Sequence, residues 1–353
     1  MNSRALEFIF PGDLETATGG YGYDRRIIGG LRALGWRVAV HALDASFPEP
    51  TSAALEHAQA VLAQLPDQAL VMVDGLAAGA MPQLLRVHAQ RLRLIALVHH
   101  PLAVESGLAA HRALELRNSE QLALKAMRHV IVTSETTRLV LRSYGVDPES
   151  VSVVEPGTDA ALLAHATRGA TLNMLCVAAL IPRKGHDVLF EALAMLPPHW
   201  TLTCVGSLEH SPATVRALRA QLQRLGLEQQ VTLAGEIDAA TLEGYYRQAD
   251  LFVLATRFEG YGMAVAEALA HGLPVVSTNV DAIAERVGRD AGLLVAPDDA
   301  QALSAALRRV LDDPGLRDAL AAGASLIRDT LPHWPDSCAR MSRILARLQD
   351  APD

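Results

Sequence analysis

Four stretches of this 353-residue sequence combine residue types and spacings suited to holding phosphates and hydroxyls. In the first, Phe258-Glu259-Gly260-Tyr261-Gly262 opens a segment that runs through Glu267 to Val276. Gly260 and Gly262 let the backbone approach a ligand and present amide N–H groups at a helix start, which suits oxyanions and hydroxyls. Glu267, one to two turns into that helix, is placed to accept from paired hydroxyls such as a ribose carries. Taken singly, Glu259 reads as a solvated loop glutamate and Glu267 as half of a surface ion pair, the usual fate of this residue type. The surrounding pattern favours the ligand reading.

The second stretch is Pro182-Arg183-Lys184-Gly185-His186-Asp187. Adjacent cations at a strand end, followed by glycine and an apolar helix, grip phosphate, arginine as a planar fork and lysine as a point charge. A solvated basic turn is the commoner origin of such a pair. Composition weighs against it here, because 29 of the 31 basic residues are arginine and only Lys125 and Lys184 are lysine.

The third stretch, Thr18-Gly19-Gly20-Tyr21-Gly22-Tyr23-Asp24-Arg25-Arg26, stands between a strand and a helix. Glycines at a helix N-terminus cradle a diphosphate. The stretch is partly like a dinucleotide fingerprint, with Asp44 about where the ribose acid belongs. However, Arg25 replaces the third glycine and the loop 12–18 is too long for that tight turn, so hydride transfer is disfavoured. The fourth stretch is His99-His100-Pro101. A histidine at a strand end donates to a sugar hydroxyl or a departing phosphate, while a His pair before proline also serves as turn filler. No metal is expected: His-x-x-x-His, Cys-x-x-Cys and Asp-x-Asp are all missing from the sequence, and Asp298-Asp299 and Asp312-Asp313 read as helix-start caps.

All four stretches follow short runs of Val, Ile and Leu. Runs at 6–10, 37–42, 70–73, 94–98, 130–133 and 151–154 read as one set of strands, and those at 172–179, 201–205, 231–233, 251–254, 274–277 and 292–295 as a second. Such runs separated by amphipathic helices predict parallel α/β sheets with helices on both faces. Ligands of these sheets sit outside the carboxyl ends of the strands. Two facing sheets would thus share a central cleft. The expected domains are 1–165 and 166–332, with a linker near 156–170 and a final helical segment, 333–353, packing back across the join.

The charge balance excludes some functions. Net charge is −8, with 14 basic against 17 acidic residues up to position 165 and 17 against 22 beyond it. Nucleic acid is therefore not an expected partner. Membrane contact is not indicated, a local group of Arg86, Arg91 and Arg93 aside. Three dispersed cysteines read as buried thiols of a reducing compartment. The N-terminal apolar run is too short for a signal peptide and every apolar run too short for a membrane span, so a cytoplasmic location is expected.

Together these residues resemble glycosyltransferase family 4, retaining nucleotide-sugar transferases with the two-Rossmann-domain architecture called GT-B. The most specific elements are Glu259 and Glu267 in their E-x7-E setting and the Pro182–Asp187 cluster. The resemblance implies that Arg183 and Lys184 bind the donor diphosphate and that Glu267 accepts the ribose hydroxyls. It further implies that Glu259 and the backbone of Gly260, Tyr261 and Gly262 hold the donor sugar, Gly19 and Gly20 the phosphates, and that His99 lies by the sugar. Ile237, within Gly235-Glu236-Ile237-Asp238, matches the base-binding loop. One segment departs from the family: Val280-Asp281-Ala282-Ile283-Ala284-Glu285 replaces the common Gly-Gly-Ile-Pro-Glu run. The implied activity is metal-independent hexosyl transfer from a nucleotide-diphosphate sugar, UDP-linked before GDP-linked, with the donor as co-substrate and no cofactor. A nucleotide-sugar epimerase and a non-catalytic nucleotide-sugar binding module are the alternatives. Acceptor and oligomeric state are not legible.

Overall fold

A computed structural model describes residues 4–105, 107–165 and 171–351. Five residues of the expected linker, 166–170, thus lie outside the described residues. The chain divides into two compact units, Met1–Gly157 with Pro332–Asp353, and Thr158–Leu331. Residues 158–165, read from the sequence as the end of the first domain, group with the second unit.

The first unit is built on six strands: β1 Ala5–Pro11, β2 Arg37–Leu43, β3 Leu70–Asp74, β4 Arg93–Val98, β5 His129–Val132 and β6 Val151–Val153. They form one parallel sheet in the order β2-β1-β3-β4-β5-β6. The second carries β7 Leu172–Val177, β8 Trp200–Val205, β9 Val231–Gly235, β10 Leu251–Leu254, β11 Val275–Thr278 and β12 Gly292–Val295, also all parallel, in the order β12-β11-β10-β7-β8-β9. Central strands such as β3 and β10 are buried at every residue. Helices cover both faces of a parallel sheet, so a central strand reads as an unbroken apolar run. The edge strand β2 is more exposed and shows no such run of burial.

Helix starts are fixed by side-chain caps, each accepting a backbone N–H that the helix leaves unpaired. Thr18 receives Tyr21 N at 3.2 Å, Asp238 receives Thr241 N at 2.8 Å, and Asp299 and Asp313 cap Ala302 and Leu316. Their neighbours differ from expectation: Asp312 ends the preceding helix, and Asp298 turns in a left-handed conformation to pair with Arg257.

The terminal helix Trp334–Asp350 belongs to the first unit, where it packs on the helix Gly19–Ala33. A Cβ at Gly30 would stand 2.1 Å from the Cys338 sulfur, so only glycine allows this approach. Trp36 donates its indole N–H to Ser342 at 2.9 Å, and the Arg26 guanidinium lies over the Trp334 ring. All three cysteines are buried and free. Among the described residues no helix is long and apolar enough to cross a membrane.

Candidate functional site

In the second sheet the strand order reverses between β7 and β10, and such a reversal opens a crevice at the carboxyl ends of the two strands. The Arg183-Lys184 turn follows β7 and the Glu259 loop follows β10, so topology brings the two motifs to one place. Gly185, at φ 66°, makes the close fit possible: a Cβ there would lie 2.0 Å from the Ala255 carbonyl oxygen. Arg257 N donates to Arg183 O at 2.8 Å, and the Thr256 hydroxyl lies 2.9 Å from Phe258 O and 3.2 Å from Arg183 O.

Within that crevice Lys184 Nζ donates to Glu259 Oε1 at 2.5 Å. Burial opposes ionisation of Glu259, but the charges of Lys184 and Arg183 and the Lys184 hydrogen bond outweigh it and hold the carboxyl below its ordinary value. Arg183 Nη1 donates to Phe258 O at 3.0 Å. Arg257 clamps the motifs from behind with a bidentate contact to Asp187, at 2.8 and 3.1 Å, and a third bond to Asp298 at 2.7 Å. Burial works against the Asp187 charge, and the Arg257 contacts overcome it.

Glu267 sits on the helix Met263–Ala270, half-buried, and accepts from the Tyr246 hydroxyl at 2.8 Å. The Tyr246 ring stacks on His271 at 4.8 Å, which aligns the phenol. Burial first and the Glu267 charge second push that phenol well above its usual value, so it remains a donor. Gly260 and Tyr261 are buried; the Tyr261 ring faces the Arg286 guanidinium at 3.6 Å, and the Tyr261 carbonyl accepts from Arg286 Nε at 3.3 Å. Gly262 adopts φ 85° at the helix start; a Cβ would meet Ile283 Cδ1 at 2.7 Å. The departing segment therefore fills space with Ile283, at the start of the helix Asp281–Val287. Ile237 lies after β9, half-buried against the core and one residue before the capping Asp238.

The first sheet reverses between β1 and β3. Gly19 and Gly20 begin the helix after β1, and a Cβ at Gly20 would rest 3.4 Å from the His99 ring. His99, just past β4, places Nε2 3.1 Å from Asp24 Oδ1 and 3.6 Å from Asp74 Oδ2. Burial lowers the basicity of His99, but the charges of Asp24 and Asp74 and the Asp24 hydrogen bond reverse this and hold it above its ordinary value. Burial and the Asp24 charge push the Asp74 carboxyl up. Arg25, at the position that breaks the dinucleotide fingerprint, anchors the preceding loop through the Leu14 and Thr16 carbonyls. Asp44 accepts Ser46 N at 2.8 Å in an exposed turn.

Asp74, Tyr246, Arg257 and Arg286 were not singled out from the sequence, and Asp24 was seen only as part of the glycine stretch. Asp74 had one usable signal, an acid ending a buried apolar strand.

Two family models match the chain. A model described as Glycosyltransferase Family 4 matches residues 25–162, and one described as Glycosyl transferases group 1 matches residues 171–313. The chain belongs to glycosyltransferase family 4. A relative within reach of this family 4 chain is a D-inositol 3-phosphate glycosyltransferase of Jonesia denitrificans, 31% identical over 58% of this chain and 53% of that protein. The match spans between about half and two thirds of such curated relatives' length. Among solved structures, a sucrose-phosphate synthase from Thermosynechococcus elongatus superposes with TM-score 0.83 at 23% identity, covering 98% of this chain and 99% of that one. The Anabaena protein HepE, solved with UDP and glucose, gives 0.76 at 19% identity, covering 96% and 99%. The family 4 chain thus has the GT-B fold.

Proposed function

We propose that the chain transfers a hexosyl unit, with retention at the anomeric carbon, from a nucleotide-diphosphate sugar to an acceptor. The observation that carries this reading is the convergence of Arg183, Lys184, Glu259 and the Gly260–Gly262 backbone at the switch point of the second sheet, with Glu267 on the following helix. The match to family 4 supports it, and the UDP bound by HepE supports a uridine donor before a guanosine one.

Breaking the anomeric bond leaves negative charge on the β-phosphate and an oxocarbenium-like sugar. Fixed cations and N–H donors aimed at the phosphate stabilise that charge most, because they need no reorganisation as it develops. Arg183 and Lys184 take this role. Glu259 orients Lys184 and accepts from sugar hydroxyls with its remaining oxygen lone pairs, Glu267 takes the ribose hydroxyls, and the backbone near Ile237 meets the base. In the first unit the same reading gives Gly19 and Gly20 the phosphate contacts and His99 the sugar contact. The leaving phosphate accepts the acceptor's proton, so the scheme requires neither a divalent metal nor a cofactor.

A thermal-shift screen of nucleotide sugars tests the reading, since a ligand that binds only the folded chain raises its melting temperature by mass action. A shift with UDP-hexoses that is abolished in Lys184→Ala, together with transfer that persists in chelator, is the expected result. Strict dependence on added Mn²⁺ or Mg²⁺ overturns the metal-independent scheme, and no shift with any nucleotide sugar overturns the donor assignment.

A further inference from the structure

Buried acids beside His99 form a cluster that the reaction scheme above does not use. We propose that Asp24 and Asp74 are positioning residues for His99: they turn its Nε2–H inward and keep the ring cationic, so that Nδ1–H is presented to a substrate oxygen. The inference rests on the reading of His99 as a substrate contact.

Three neighbouring strands build the cluster. Asp24 comes from the helix that follows β1, Asp74 is the last residue of β3, and His99 follows β4. A carboxylate only accepts hydrogen bonds, so the 3.1 Å contact with Asp24 requires the proton on Nε2. Asp74 is held in place because its Oδ1 accepts Leu76 N at 2.8 Å, which leaves Oδ2 to face the ring. Tyr23 sets the ring plane from the side, edge-on at 85°, and is itself pinned by a 2.9 Å bond to Val154 O. The His99 carbonyl accepts from the Thr133 and Thr137 hydroxyls, which fixes the backbone.

With Nε2 committed, Nδ1 is the remaining polar atom of the ring, and it makes no hydrogen bond among the described residues. The side chain keeps 20% exposure, whereas Asp24 and Asp74 keep almost none. Asp24 Oδ2 is buried without a hydrogen-bond partner. An unpaired oxygen of a buried acid is costly unless a neighbouring positive charge offsets it, and an imidazolium does so. The titratable groups around His99 are these two acids, with Tyr23 against the ring and Tyr21 behind, its phenol raised by burial and by Asp74 and Asp24. Two buried carboxyls beside one imidazole do not both ionise readily. Burial and the Asp24 charge push the Asp74 carboxyl up, and the charges of the two acids with the Asp24 hydrogen bond hold the His99 ring above its ordinary basicity.

The test combines histidine-detected NMR titration with pH–rate profiles of the full chain, using UDP-hexose as the donor. In the unaltered protein His99 is expected to titrate above 6.5, with the proton on Nε2 in the neutral form. Asp24→Asn retains an acceptor but removes the charge; it should lower that titration by about one to two pH units and move the alkaline limb of kcat/KM to lower pH by the same amount. A purely structural role would lower the rate at all pH values and leave the limb in place. Asp74→Asn, with the titration of unaltered protein, decides the matter if Asp24→Asn does not fold. A neutral tautomer with the proton on Nδ1, or an unmoved titration in a folded variant, overturns the proposal. The expected NMR shifts without transfer from any nucleotide sugar would instead remove the functional reading and keep the cluster.

Discussion

Lys184 and Glu259 stand 75 positions apart in the chain and meet at 2.5 Å between two adjacent strand ends. Each side chain is largely buried, with 16% and 9% exposure. The Lys184 charge helps to hold the Glu259 carboxyl below its ordinary value against the effect of burial, and one contact joins the two motifs and contributes to their electrostatics. In the proposed transfer, Lys184→Ala should reduce kcat about a hundred- to a thousand-fold, the usual cost of losing one transition-state charge donor. It should also destabilise the fold by about 3 kcal/mol, since Glu259 is left as an uncompensated buried charge. Urea unfolding of Lys184→Ala, Glu259→Gln and the double variant checks this; the double variant should recover part of the stability and none of the activity. Additive losses in stability would show that the pair is not coupled.

Gly185 is the hinge of that arrangement. Alanine there must adopt φ 66° with its Cβ against the Ala255 carbonyl, so Gly185→Ala should cost at least about 1–3 kcal/mol in backbone strain alone. A melting temperature equal to that of the unaltered protein would contradict the close approach. Gly226, with a similar φ of 69° and no atom within 4 Å of its Cβ, supplies the control and should be milder.

Arg257 is expected to act by orientation. Arg257→Lys keeps the charge but has no planar fork with which to hold Asp187 and Asp298 together. The donor KM should rise about tenfold or more, while the fold loses only about 1–2 kcal/mol. Initial rates against donor concentration measure the first and thermal melts the second. An unchanged KM would place Arg257 outside the site's support.

Glu120, in the first unit, should make a pH-dependent contribution to stability. Its side chain is buried, accepts Leu102 N at 2.9 Å through Oε1, and is pushed up by burial to about 7. Because the folded value lies above the unfolded one near 4.5, the associated stability is fully present below about pH 4.5 and is lost as pH rises through about 7. Glu120→Gln removes that loss. It should match the unaltered protein near pH 4.5 and exceed it by on the order of 2–3 kcal/mol at pH 8, measured by urea unfolding. A constant difference across that range would contradict the burial of an ionisable group.

The strand positions were legible because a strand covered on both faces is apolar at every residue. All twelve expected strands occur, with β7 ending at Val177 instead of residue 179 and β10 matching its expected span. Lys184, Glu259 and Glu267 were legible as motifs because each is embedded in a local pattern of glycine, proline and apolar residues. The Lys184–Glu259 contact itself was not, since it depends on β7 lying beside β10. The same limit hid Asp74, whose approach to His99 and Asp24 follows from the order β1-β3-β4. The end of the first unit was misplaced because residues 158–165 carry no regular element; they are tied to the second unit by tertiary bonds, such as Ala164 N to His271 O at 2.8 Å.

The polypeptide leaves the first unit at Gly157 and returns at Pro332. Gly157 packs so closely that a Cβ would touch Trp334 N at 2.2 Å, so the exit and the return are side by side. The second unit is therefore wired as an insertion of 174 residues, flanked where Gly157 packs against the backbone of His333 and Trp334. The described residues before and after that insertion, 4–157 and 332–351, belong to the same unit, so the first unit is completed only by chain that follows the whole of the second.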